Sequence, residues 1–172
     1  MKKLVVIAEK EELKLVEQLG YDKYPVLIMG VGATNVIENL KDIPRDTQII
    51  NIGFAGSKNL PVDKFYCVDR VSMNQTDLVY NNPVYTLAYC PWPADRINYD
   101  EPNDPIEPKT CYTSSDFVLK SNKENCLFDM ELAYIKALGF EDVLAFKYVS
   151  DNLDLQDYRS KLGDQDEVIK NE

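Results

Sequence analysis

Histidine is absent from all 172 residues. Its absence removes serine triads, cysteine-histidine couples, histidine general bases and the commonest metal ligand, and it leaves acid-base chemistry to Asp and Glu. Cysteine is sparse and scattered. Cys67, Cys90, Cys111 and Cys126 contain no C-x-x-C pair, so a zinc site is not expected and the thiols read as reduced and structural. Long apolar runs are missing as well: the longest, residues 4–8 and 25–29, are far too short to cross a bilayer. Met1-Lys2-Lys3 leads straight into Leu4-Val5-Val6-Ile7, with no long apolar region and no small-residue cleavage site, and reads as the first strand of a cytoplasmic protein. Positive charge is in deficit. With 19 basic against 29 acidic residues the net charge is −10, a field that repels phosphate polymers and anionic membrane surfaces, so neither nucleic acid nor membrane is an expected partner.

What is present is ordinary globular material, 45% hydrophobic and of a length that suits one domain over residues 1–172. Short Val- and Ile-rich runs alternate with helix-like segments, the pattern of an α/β protein with a central sheet. Residues 4–8 read as a strand, 10–19 as a helix closed by Gly20, and 25–29 as a second strand. Gly30-Val31-Gly32 then reads as a turn before a helix capped by Asn35, with Glu38 three residues on. Residues 48–52 read as a strand ending in the glycine-containing turn Gly53-Phe54-Ala55-Gly56, and 64–73 as another extended run. Residues 74–109 are dominated by Asn, Asp, Pro and Tyr, with one candidate strand at 84–89; this is an irregular functional or interface loop. Beyond it lie a strand at 110–119, a helix at 129–138 closed by Gly139, and a β-branched strand at 143–149. The polar segment 153–172 carries a thin helical stripe, Leu155, Tyr158 and Leu162, and a frayed end.

Candidate carboxylates stand at strand ends: Glu12 after the first strand, Asp129-Met130-Glu131 at the opening of a helix, and Asp151 after the last strand. In α/β sheets ligands gather at that carboxyl edge. These segments also carry a resemblance. Val6-Ile7-Ala8-Glu9-Lys10-Glu11-Glu12 is similar to the glycine/alanine-Met-Glu-Glu-Glu start of methylthioadenosine/S-adenosylhomocysteine nucleosidases, members of the purine nucleoside phosphorylase superfamily. Met29-Gly30-Val31-Gly32-Ala33-Thr34-Asn35 resembles their Ser-Gly-Ile-Gly-Lys-Val, and Ile50-Asn51-Ile52-Gly53-Phe54-Ala55-Gly56 their Ile-Asn-Thr-Gly-Ser-Ala-Gly. Thr113-Ser114-Ser115-Asp116-Phe117 is similar to Ser-Gly-Asp-Ala-Phe, Asp129-Met130-Glu131-Leu132-Ala133 to Glu-Met-Glu-x-x-Ala, and Val149-Ser150-Asp151 to Ile-Ser-Asp. No single motif is specific; their shared order over residues 5–152 carries the resemblance.

The resemblance implies a three-layer α/β/α domain with a central mixed sheet, no cofactor, a small-molecule nucleoside as ligand and a homodimer. It implies cleavage of an N-glycosidic bond, with Asp151 as general acid toward purine N7 and Glu12 orienting or deprotonating water. Glu131 would accept hydrogen bonds from the ribose hydroxyls, Phe117 and Met130 would offer an apolar floor and a sugar contact, and Asp129, Gly53 and Phe54 would complete the substrate-binding set. Spacing alone leaves Asp151 open as a helix cap, Glu131 and Glu12 as solvated charges, and Phe117 and Met130 as core. Asn51 stands where phosphorylases of the superfamily commonly have a phosphate-binding Arg, which points to the hydrolytic version; phosphorolysis would need Arg45, Arg70 or Arg96 from a partner subunit. Phe54 replaces a small hydroxyl near the expected nucleophile, Asp129 is one methylene shorter than the usual Glu, and the chain reads as short for the family. These departures keep open a nucleoside-binding relative without turnover. The tyrosines and tryptophan of the loop region, Tyr80, Tyr85, Tyr89, Trp92 and Tyr99, read as an interface between two copies.

Overall fold

The computed structural model describes residues 2–74, 83–87 and 106–162. In chain order these form β1 (Lys3–Ile7), α1 (Leu13–Gln18), β2 (Val26–Ile28), α2 (Ala33–Leu40), β3 (Gln48–Gly56), β4 (Phe65–Met73), β5 (Val84–Thr86), β6 (Pro108–Thr113), β7 (Leu127–Asp129), α3 (Leu132–Ala137), β8 (Val143–Asp151) and α4 (Leu155–Leu162). The architecture is α/β with a mixed sheet. β1 runs parallel to β2 and β3, β3 parallel to β8, and β6 parallel to both β4 and β7, whereas the β4–β8, β3–β7 and β4–β5 pairs are antiparallel. The pairings β3–β8–β4–β6–β7–β3 close a circuit, from which β1 with β2 and β5 extend. Among the described residues no helix is long and apolar enough to cross a membrane.

Alternation within the strands divides the core. Val6 and Ile49 join a cluster with Val36 and Leu40 of α2 and Leu132 and Ile135 of α3. Their neighbours Val5, Ile7, Ile50 and Ile52 point the other way, into a cluster with Leu15 and Val16 of α1 and with Tyr158 of α4 packed against it. A strand whose two faces are both buried reads as a continuous apolar run, which is the pattern of β3.

Several boundaries differ from those expected. The glycines after residue 52 make no turn: β3 continues to Gly56, with Gly53 opposite Lys147, Phe54 opposite Tyr148 and Ala55 opposite Val149. Their role is steric, since a Cβ on Gly53 would lie 2.5 Å from Glu12 Oε2 and one on Gly56 would lie 2.9 Å from Asp151 Oδ2. Gly32, at φ 90°, occupies the N-cap of α2 in place of Asn35. Asn35 sits inside the first turn and donates from Nδ2 to the Val31 carbonyl at 2.8 Å. β6 ends at Thr113, and the chain then leaves the sheet with Phe117. Asp129 closes the short strand β7 and does not open the helix expected at 129–138; α3 begins only at Leu132. The helix expected at 10–19 opens with a 3₁₀ turn over Lys10–Glu12 before α1. The loop strand is confined to Val84–Thr86, and α4 covers the expected stripe up to Leu162.

Candidate functional site

The carboxyl ends of β1, β3, β7 and β8 meet around one pocket. Ala8, Glu12, Phe54, Phe117, Asp129, Met130, Glu131, Asp151 and Tyr158 line it. Gly53 is not among the lining residues and packs against the Glu12 side chain.

Glu12 is carried by the 3₁₀ turn that follows β1 and is buried. Its Oε1 accepts the Ala8 and Glu9 amides at 2.8 and 3.0 Å, and Oε2 accepts the Phe54 amide at 2.7 Å. Burial pushes its carboxyl up from 4.5 to about 7, against the opposing pull of Lys147 and the three amides. Such a group exchanges a proton near neutral pH. Asp151, the last residue of β8, is fully buried. The Ser150 hydroxyl donates to its Oδ1 at 2.6 Å and the Leu153 amide to its Oδ2 at 2.9 Å, which holds the carboxyl in one orientation.

Asp129 and Glu131 divide the labour between structure and pocket. The Leu132 amide donates to Asp129 Oδ2 at 2.8 Å, so Asp129 supplies the acceptor that the start of α3 needs. Its Oδ1 accepts the Thr113 hydroxyl, whose oxygen in turn accepts the Ala133 amide at 2.9 Å. Glu131 is the backbone N-cap of α3 and makes no side-chain cap bond. Its Oε2 instead receives the Gly32 amide at 2.9 Å, which ties α3 to the turn before α2. Burial and the nearby Asp129 raise its carboxyl well above the usual range, Glu12 adds to that, and Lys147 and the Gly32 amide oppose it.

Sequence reasoning missed two residues here. Lys147 is 1% exposed, and its Nζ lies 3.0 Å from Asp129 Oδ2. Burial disfavours its ammonium, but Asp129, Cys111, Glu131 and Glu12 together outweigh burial and raise the lysine above its ordinary range. The available signal was one cation in the otherwise apolar, β-branched run 143–149. Tyr158, read only as part of a thin helical stripe, tilts over Phe117 at 5.2 Å and meets Phe54 edge-on at 6.4 Å. Its hydroxyl donates to Glu9 Oε2 at 3.0 Å, and burial together with Glu9 and Glu12 raises that phenol. With these three rings in place the pocket encloses about 40 Å³. That is room for a water, far below the roughly 300 Å³ at which small-molecule pockets begin.

The arginines considered for an anion site are placed elsewhere or lie outside the described residues. Arg45 donates to the carbonyls of Leu40, Lys41, Ile43 and Leu138 and lies over the Phe140 ring, a structural post. Arg70 is exposed on β4, and Arg96 is outside the described residues. Asn51 donates to the Val6 carbonyl at 3.2 Å within the sheet. Among the described residues no group of three or more His, Cys, Asp or Glu could hold a metal ion.

No protein-family model matches the chain, and no curated protein does. Solved structures do match. An MTAN variant from Chlamydia trachomatis bound to MTA is similar with a TM-score of 0.68 at 17% identity, over 96% of this chain and 93% of that one. A 5′-methylthioadenosine/S-adenosyl homocysteine nucleosidase from Helicobacter pylori gives 0.67 at 12% identity, over 94% and 91%. Futalosine hydrolase from the same organism gives 0.67 at 10%, over 94% and 91%. The chain therefore has a nucleoside phosphorylase/nucleosidase-like fold, and at such identities the fold is what is shared. Because more than nine-tenths of each of these chains is matched, the expected shortening is not seen against them.

Proposed function

We propose that the chain hydrolyses the N-glycosidic bond of a purine nucleoside or a 5′-thio-substituted adenosine. The observation that carries this reading is the convergence of Asp151, Glu131 and Glu12, from three distant segments, on one aromatic-walled pocket at the carboxyl edge of the sheet. In the reaction the C1′–N9 bond breaks and its electron pair passes to the purine, which takes a proton from Asp151 at N7 and leaves neutral. Glu131 accepts hydrogen bonds from the ribose 2′ and 3′ hydroxyls while positive charge develops at C1′. Water then bonds to C1′ and gives its proton to Glu12, whose raised pKa suits a base working near neutrality. Phe117 and Met130 offer the apolar contacts for base and sugar, and the Tyr158 ring has to leave Phe117 for a purine to lie there. The same reading takes the chain as one three-layer α/β/α domain, acting in the cytoplasm as a homodimer.

One observation favours a second reading, a nucleoside-binding relative without turnover. Both oxygens of Glu12 are held by backbone amides, one of them from Phe54 in place of a small hydroxyl residue. Incubation with a panel of purine nucleosides and 5′-thioadenosines, with and without phosphate, followed by chromatography of base and sugar, separates the possibilities. Hydrolysis releases base and free sugar in both conditions. Release that requires phosphate means phosphorolysis, tight binding with no release means the relative without turnover, and neither binding nor release overturns the nucleoside reading.

A further inference from the structure

β8 buries a single ammonium in an apolar strand, which is costly unless the charge is paired. The groups facing Lys147 come from four places: Asp129 at the end of β7, Glu131 just after it, Glu12 in the turn after β1, and the Cys111 thiol on β6. Three of these are carboxyl groups, so one cation serves three acids. Lys147 pairs directly with Asp129 at 3.0 Å, and a Cβ on Gly53 would stand 3.6 Å from its Nζ and 2.5 Å from Glu12 Oε2, which places the ammonium and the Glu12 carboxylate over the same glycine. It is not among the residues lining the pocket, so it acts through its neighbours.

We propose that Lys147 is a positioning residue for the acid cluster, fixing through Asp129 the first turn of α3 that presents Glu131 and holding Glu12 as an acceptor in its cradle of three amides. The ammonium is the largest influence opposing burial at Glu12. Without it, three buried carboxyls would face one another, and like charges in one site force protonation. Only the catalytic consequence rests on the nucleosidase reading; the electrostatic one does not.

The test uses Lys147→Met, Lys147→Arg and the double variant Lys147→Met/Asp129→Asn, with ¹³C-carboxyl NMR titration of Glu12 and Glu131 assigned through Glu12→Gln and Glu131→Gln. Loss of the cation should raise the Glu12 midpoint by about 1 pH unit or more, the scale of one close opposite charge. Lys147→Arg should keep it near that of the wild type. The double variant removes both partners of the pair, which avoids leaving Asp129 as a buried carboxylate without its cation, and its Glu12 midpoint should stay high. A double variant whose Glu12 titrates as in the wild type would reduce Lys147 to a structural partner of Asp129 and overturn the proposal. On an established substrate, Lys147→Met should lower kcat at least ~10-fold with a smaller change in KM, shift the acid limb of the kcat profile upward, and be rescued by Arg. If the wild type cleaves no nucleoside, the nucleosidase reading fails while the Glu12 titration still decides on Lys147.

Discussion

Asp151→Asn keeps the shape of the side chain and its place against Gly56 but removes the proton that the proposed mechanism delivers to the departing purine. Turnover of a confirmed substrate should fall by roughly 10²-fold or more while calorimetry still shows binding. Equal cleavage by wild type and variant would refute the general-acid role. Glu131→Gln should weaken ribose recognition as well as turnover, because an amide offers one acceptor and two donors where the carboxylate only accepts. Glu12 allows a test that needs no substrate. Its carboxyl is raised from 4.5 to about 7 in the folded chain, so between those values the folded state holds a proton that the unfolded state has lost. Its contribution is therefore fully present below about pH 4.5 and is lost as pH rises through 7, with a ceiling of about 3 kcal/mol at ~1.4 kcal/mol per pH unit. Urea unfolding from pH 5 to pH 8 should show the wild type weakening with rising pH and Glu12→Gln with a shallower slope; identical slopes would mean that Glu12 is not a buried, raised carboxyl. The carboxylates were legible in the sequence because a histidine-free chain leaves few other carriers of proton chemistry, and because their order matched a known series. Lys147 was not, since its meaning lies in Asp129, a partner on another strand, and Asp129 itself read as the start of a helix.

At the scale of elements, β3 shows what a glycine reports and what it hides. Gly53 and Gly56 signalled a turn, yet both lie within a strand and leave room for the side chains of Glu12 and Asp151. Gly53→Ala should therefore act on the site through Glu12. The new methyl group would press on Oε2 and disturb its 2.7 Å bond from the Phe54 amide, while the facing backbone of β8 leaves the strand little freedom to retreat. The expected result is a loss of about 1–3 kcal/mol in stability, typical of overpacking, together with reduced turnover. A variant with unchanged melting temperature and activity would show that Glu12 moves freely. Strands with β-branched runs, β1, β3, β4 and β8, were found from sequence to within a few residues. β7 was not, because three residues carry too little alternation to outweigh the helix signal of the acids that follow.

At the scale of the molecule, alternation of strands and helices identified the α/β class, but the closed circuit of pairings was beyond it, because β4 meets β8 and β3 meets β7 across long stretches of sequence. The same limit applies to assembly. Of the aromatics that suggested a homodimer, Tyr85 lies on β5, half-buried, while Tyr80, Tyr89, Trp92 and Tyr99 are outside the described residues. Among the described residues Ile28 on β2, Ile37 on α2 and Val84 on β5 are exposed, at 46%, 44% and 63%. Two copies each carrying a net charge of −10 repel one another, and apolar contact at an interface is one attraction that would offset that repulsion. Salt screens the repulsion over about 10 Å at 0.1 M and less at higher concentration, while apolar burial is not weakened by it. A homodimer held in this way should therefore tighten as salt rises, the opposite of one held by ion pairs. Light scattering across a range of protein and sodium chloride concentrations should show twice the mass of one chain, reached at lower protein concentration in higher salt. A single-chain mass throughout that range would exclude the homodimer, and a dimer that dissociates as salt rises would assign the interface to charged contacts instead of the aromatic and aliphatic surface.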